Sequence, residues 1–169
     1  MNESEFNSVL KKYQTTVIYA IYNMVYSWEV ARDLSQEAFI RLWENRKKIQ
    51  PDRPVFNFLY RIAINLTIDY LRKIKSEYPV MNFEEIISSE DFTESELYKL
   101  IMHCTKYLQP KQRAVFILRD IEGLEFEDIE YILESPAGNI QSNLYLARNN
   151  IRKLLAEKFN IEKEFLYEM

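Results

Sequence analysis

The stretch EFEDIEYILESPAGNIQSNLYLARNNI, residues 125 to 151, carries two apolar stripes of helical period separated by a short break. Phe126, Ile129 and Ile132 recur every three residues, and after about four turn residues the pattern resumes at Ile140, Leu144, Ala147 and Ile151. Ser135 suits an N-cap and Pro136 a first helical position, where a missing N–H costs nothing. Gly138 follows at once and weakens that first turn. Gln141, Ser142, Asn143 and Asn149 fall on the opposite, polar face. This is the spacing of a helix-turn-helix, whose second helix offers its N-terminal polar face to a groove. Any two amphipathic helices meeting at a short turn would read the same way, so the pattern alone leaves DNA binding open.

The rest of the chain reads as helix too. Only two glycines and five prolines occur among 169 residues, 47% of them apolar. The segment FNSVLKKYQTTVIYAIYNMVYS carries a broad apolar stripe at Val9, Tyr13, Val17, Ala20, Ile21, Met24 and Val25. A second helix is predicted from about Ala31 to Lys48, with Leu34, Ala38 and Leu42 inward, and Pro51 and Pro54 end it. A third, about Val55 to Ile74, has Leu59, Ile62, Ala63, Leu66, Tyr70 and Leu71 at core spacing. Residues 76–92 lose the period and gain acid, which predicts an extended tether. Helical pattern returns at TESELYKLIMHCTKYL, where Thr93 and Glu96 have capping-box spacing. The expected fold is all-α: two small helical domains, 1–75 and 93–169, joined by an acidic linker, with the helix-turn-helix in the second.

Net charge is −4, but it is unevenly placed. Residues 46–75 carry eight basic and two acidic side chains, residues 76–134 five basic and fourteen acidic, and residues 135–160 four basic and one acidic. Because salt screens distant charge, two basic patches can face phosphate despite the acidic total. Ordinary solvated helix faces would give the same counts. The single cysteine, Cys104, allows no intramolecular disulfide and no multi-cysteine zinc site. MNESEFNSVL lacks the basic start and apolar run of a secretion signal, and no stretch has membrane-spanning length. A cytoplasmic protein without membrane insertion is expected. With no glycine-rich phosphate loop, and with acidic pairs such as Glu84 with Glu85 in no evident apolar pocket, neither an enzyme nor a cofactor is expected.

RDLSQEAFIRLWENRKKI followed by FNFLYRIAINLTIDYLRK resembles region 2 of bacterial RNA polymerase sigma factors of the extracytoplasmic-function group, and LQPKQRAVFILRDIEGLEFEDIEYILESPAGNIQSNLYLARNNIRKLL resembles their region 4. The resemblance implies a sigma factor that binds core RNA polymerase, directs promoter recognition and transcription initiation, and is held by an anti-sigma factor as a further partner. Asp33, Gln36, Glu37, Phe39 and Trp43 stand where the family grips the polymerase clamp helices. Asp33, Gln36, Glu37 and Ile40 share an outward face, while Phe39 and Trp43, four apart, suit the aromatic edge of a protein contact. Trp43 would equally well close the small core.

Promoter DNA is expected at two places. Asn57, Arg61, Asn65, Ile68, Arg72 and Lys75 are spaced along one face of the third helix, with Arg46, Lys47, Lys48 and Arg53 just before it. These would hold phosphates and flipped bases, and one of Phe56, Phe58 and Tyr60 would stack on an unpaired base or pack in the core. In the second domain the expected DNA-facing set is Asn139, Gln141, Ser142, Asn143, Tyr145, Leu146 and Arg148. Gln141 or Asn143 can make two hydrogen bonds to adenine, Tyr145 or Leu146 can touch thymine methyls, and Arg148 suits a phosphate. Here the chain departs from the family: Glu134 and Ser135 stand where the turn usually has glycine and an apolar residue, and Gln141, Asn143 and Leu146 where basic residues are common. Two alternatives stay open: a stand-alone helix-turn-helix regulator, and a polymerase-binding adaptor with weakened upstream DNA binding. The C-terminal EKFNIEKEFLYEM is expected to dock back on the protein through Phe159, Phe165, Leu166 and Met169.

Overall fold

A computed structural model describes residues 1–49, 53–74 and 94–159, the side chains of Glu94, Lys158 and Phe159 excepted. Within them the chain is helical throughout: α1 (Glu3–Val25), α2 (Trp28–Glu44), a 3-10 turn (Arg46–Lys48), α3 (Val55–Lys73), α4 (Glu94–Thr105), α5 (Pro110–Phe116), a π turn (Ile117–Ile121), α6 (Phe126–Leu133) and α7 (Ala137–Phe159). The expected all-helical, two-domain architecture is what the structure shows. The linker assigned to 76–92, the Thr93 capping box, Lys75 and the docking of residues 160–169 lie outside the described residues.

Local chemistry sets the boundaries. α1 begins in a reciprocal capping box, in which Glu5 N–H donates to Asn2 Oδ1 at 2.9 Å and Asn2 N–H to Glu5 Oε2 at 2.8 Å. It stops at Tyr26, whose φ of 58° is left-handed, and Ser27 then caps α2. α2 ends at Glu44, earlier than the periodicity predicts, and Arg46–Lys48 form a 3-10 turn instead. α7 begins at Ala137, so Pro136 stands just ahead of it and its carbonyl accepts from Asn139 and Ile140.

α1, α2 and α3 pack together around Val17, Ile21, Met24, Ala38, Leu42, Leu59 and Ile64. α4 to α7 surround Leu100, Ala114, Leu118, Ile129, Ile140, Leu144, Ala147 and Ile151, so the apolar stripes of the helix-turn-helix are buried as predicted, except for Phe126, which is half-buried. Leu34 is only half-buried, and the polar Ser35 occupies the buried position beside it. α3 belongs to both halves, because it packs on α1 and α2 with one side and on α5 and α6 with another. The two cores are therefore continuous.

Candidate protein and nucleic-acid interfaces

The face expected to meet polymerase borders an apolar groove between α1 and α2. Phe6, Leu10 and Ile18 of α1 and Phe39, Ile40 and Trp43 of α2 line it, with Arg32 and Gln36 among its polar groups and a volume of about 720 Å³. Asp33 and Gln36 are exposed, and Ile40 stands in solvent nearby. Glu37 forms an ion pair with Arg41 at 2.6 Å, one helical turn on. Phe39 is only 5% exposed and packs edge-on against Phe6, so it builds the groove floor instead of projecting as an aromatic edge. Trp43 is half-buried, tilted against Phe6 at 5.2 Å on one side and covered by Arg46 at 4.2 Å on the other. It thus borders the groove, leaning on Phe6 and standing outside the buried core.

The basic face of α3 has a different setting. Its first half lies against α6. Asn57 donates to Asp128 Oδ1 at 3.0 Å, Arg61 pairs with Glu134 at 3.2 Å, and Asn65 donates to the carbonyl of Ile132 at 3.0 Å. The Arg53 and Arg61 guanidinium groups lie over the ring of Tyr131 at 4.4 and 5.0 Å. Arg72, farther along, pairs among the described residues with Asp69 of its own helix at 3.2 Å and is exposed, as are Lys47 and Lys48 on the 3-10 turn. Ile68 is buried, as is Phe58, while Phe56 is half-buried. Tyr60, a candidate for base stacking, is buried too and donates its hydroxyl proton to Glu122.

At the start of α7 the candidate residues are accessible. Asn139, Gln141 and Ser142 are exposed, as are Tyr145 at 66% and Leu146 at 46%. Part of their hydrogen-bonding capacity is turned inward: Ser142 donates to the Gly138 carbonyl at 2.8 Å and half-buried Asn143 to the Asn139 carbonyl at 2.7 Å. Arg148 makes two bonds to Asp120, at 2.8 and 2.6 Å. Donation to this carboxylate holds the guanidinium's pKa above its usual value, against the opposing effect of burial.

Several groups that join the two halves escaped the sequence reading. Arg113 is 1% exposed and donates to the Met24 carbonyl of α1 at 2.8 Å, to the Thr105 carbonyl at 2.8 Å, and to the Lys106 carbonyl. A guanidinium among carbonyls at the C-terminal ends of α1 and α4 answers both their unpaired acceptors and their dipoles. Tyr26 donates to the Met102 carbonyl at 2.5 Å, and burial pushes its hydroxyl up to about 12 although the bond to Thr105 pulls the other way. The π turn and Gly123, at φ 71°, deliver Glu122 to α3. Burial raises the Glu122 carboxyl above the usual carboxylate range, partly offset by the Tyr60 hydrogen bond; burial, then the nearby carboxylate, raises the Tyr60 hydroxyl. Glu134 sits at φ 47°, left-handed backbone that favours glycine. No composition rule points to the bonds of Arg113 to Met24, Tyr26 to Met102 or Tyr60 to Glu122, because those partners are 62 to 89 positions apart.

Among the described residues there is no cluster of side chains arranged to hold a metal ion, and no helix is long and apolar enough to cross a membrane. Residues 9–77 match the family model of Sigma-70 region 2 and residues 98–151 that of Sigma-70, region 4. The chain is 30% identical to the ECF RNA polymerase sigma factor SigW of Bacillus subtilis (strain 168), an alignment covering 92% of this chain and 91% of SigW. It is also 30% identical to the ECF RNA polymerase sigma-E factor of Escherichia coli (strain K12), over 89% of this chain and 86% of that one. In fold it is similar to the sigma factor RpoE of Bartonella quintana, solved in complex with the anti-sigma factor NepR, with a TM-score of 0.66 at 18% identity over 91% of this chain and 98% of that one. Two sigma-70 regions in order, in a chain aligned over 92% of its length with such a relative at 30% identity, place this chain in the extracytoplasmic-function group of RNA polymerase sigma factors.

Proposed function

We propose that this sigma factor engages core polymerase through the α1–α2 groove and its α2 rim, and promoter DNA through the basic face of α3 and the start of α7. The observation that carries the polymerase assignment is the groove itself. It exposes Ile40 and part of Trp43 beside Asp33 and Gln36, an apolar centre with a polar rim that suits a partner helix. The domain boundaries follow the same division, 1–75 for polymerase and minus-ten DNA, 76–92 as tether, and 93–169 for upstream DNA. The protein acts in the cytoplasm and has no catalytic step of its own. An anti-sigma factor is a further partner, the class of protein bound by the Bartonella quintana relative in its solved structure.

At α7 the free N–H groups of the first turn can face a phosphate. A Cβ on Gly138 would meet nothing within 4 Å, so the protein's own packing does not require glycine there. Close approach of a DNA backbone supplies a reason for it. The Asp120–Arg148 pair favours a second reading, because it neutralises one of the few basic groups near this face. In that reading the chain binds polymerase but reads upstream DNA weakly.

The polymerase assignment is tested by Gln36→Ala with Glu37→Ala. Gln36 is exposed and Glu37 is half-buried in its ion pair with Arg41, so the two changes together should cost no more than about 1 kcal/mol of stability. The double variant should keep its helicity and bind core polymerase more weakly in titration. Unchanged affinity would remove the assignment. Arg61→Ala within holoenzyme tests the α3 face: it should shrink the permanganate-reactive bubble more than it weakens polymerase binding.

A further inference from the structure

We propose that α6 and the turn that follows it occupy the nucleic-acid face of α3 by substituting for the nucleic acid, so that the closed chain and the DNA-bound chain compete for the same side chains. This rests on the assignment of that face to DNA. What α6 presents there is the chemistry a single strand would present. The Asp128 carboxylate accepts from Asn57 and the Glu134 carboxylate from Arg61, as phosphate oxygens would. The Ile132 carbonyl accepts from Asn65, as a base carbonyl would. The Tyr131 ring lies beneath Arg53 and Arg61, in the place of a stacked base. Acceptors and a π face meet donors and cations along the whole segment from residue 53 to residue 65.

Glu134 supplies a second, independent observation. Its φ of 47° is a conformation in which any side chain with a Cβ is disfavoured, and glycine would relieve it. The turn nevertheless keeps a glutamate, and that glutamate's carboxylate is the one on Arg61. The backbone needs of the helix-turn-helix do not explain this choice, whereas a counter-charge for the first domain does. The mask ends short of Arg72, which bonds within α3 and remains in solvent. Tyr60 with Glu122, and Arg113 with the Met24 carbonyl, keep the two halves together beside it. Opening the chain for DNA therefore exchanges α6 for the strand on a common set of donors.

The test uses the full-length chain without polymerase and a fluorescent single-stranded DNA oligonucleotide of mixed sequence. Asp128→Ala with Glu134→Gly should bind the probe roughly ten-fold more tightly than wild type, the change expected when about 1.4 kcal/mol of competing contact is removed. Adding Arg61→Ala to that variant should abolish the gain. Glu44→Gln with Glu127→Gln changes net charge equally on exposed side chains that make no hydrogen bond or ion pair to α3 among the described residues, and should give a much smaller gain. Equal gains from the two double variants would reduce the effect to net charge and overturn the proposal, as would no gain from Asp128→Ala with Glu134→Gly. The two levels fail differently. If Arg61→Ala leaves promoter melting by holoenzyme intact, the DNA face itself is misassigned. If it impairs melting while the masking variant binds the probe no better than wild type, only the substitution by α6 falls.

Discussion

Replacing Glu134 once by alanine and once by glycine separates its backbone cost from its charge. Both changes delete the ion pair to Arg61, whose partners are 28% and 65% exposed, so that contact is worth about 0.5 kcal/mol after solvent screening. The variants differ in what they do at φ 47°. Alanine keeps the left-handed strain, whereas glycine removes it at the cost of a more flexible unfolded chain. At a positive φ the balance favours glycine over alanine by about 1 kcal/mol. Glu134→Ala should therefore be less stable than wild type by about 0.5 kcal/mol. Glu134→Gly should be at least as stable as wild type and melt about 2 to 4 °C above the alanine variant, given a chain of this size. Thermal denaturation followed by circular dichroism, with urea titration as a second measure, reads the difference directly. Equal midpoints for the two variants would mean that the turn relaxes out of the left-handed region at no cost, and the inference that Glu134 is kept for its carboxylate would lose its basis.

Glu122 and Arg148 yield two further predictions. The Glu122 carboxyl is raised by burial, so its contribution to stability is complete below its unfolded value and is lost as pH rises through the folded one. Glu122→Gln keeps an acceptor for Tyr60 without the buried charge; its stability relative to wild type should rise as pH climbs above about 4 and through the raised folded value, and urea curves that stay parallel from acid to neutral pH would refute the linkage. Asp120→Asn frees the Arg148 guanidinium from its two-bond partner. Holoenzyme carrying it should bind upstream DNA of every sequence more tightly, with a salt dependence steeper by about one counterion, and an unchanged slope would show that Arg148 does not reach phosphate.

The helices were legible because their cause is local. Ile140, Leu144, Ala147 and Ile151 recur at the period that buries one face, and Pro54 sits where α3 must begin, so position along the chain was enough. The end of α2 was less legible, because basic residues carry no apolar period to distinguish a 3-10 turn from another helical turn. Of the candidate sites, the α2 rim could be read from its outward spacing, but not the burial of Phe39, which depends on Phe6 arriving from α1. The setting of Asn57, Arg61 and Asn65 was illegible in principle. Their spacing announces a polar face, and only tertiary contact reveals that the face is already met by Asp128, Glu134 and the Ile132 carbonyl.

That distinction bears on how the two departures from the family pattern belong together. The turn carries Glu134 in place of glycine, and the recognition helix carries Gln141, Asn143 and Leu146 where basic residues are common. Taken separately, each weakens DNA binding by the second domain, since a carboxylate repels phosphate and each absent cation removes one counterion-releasing contact. Taken with the structure, they serve one arrangement. A strongly basic second domain would repel the Arg53 and Arg61 face it now covers, whereas one carrying Asp128 and Glu134 is held there by contacts at 3.0 and 3.2 Å. If α7 reads upstream DNA as proposed, its low charge has a compensating condition: once polymerase positions the chain on a promoter, the local concentration of DNA at α7 is set by attachment to that complex and no longer by free affinity. Gln141 and Tyr145, both exposed, need only discriminate between bases at that stage, and discrimination depends on hydrogen-bond geometry and methyl contact more than on charge.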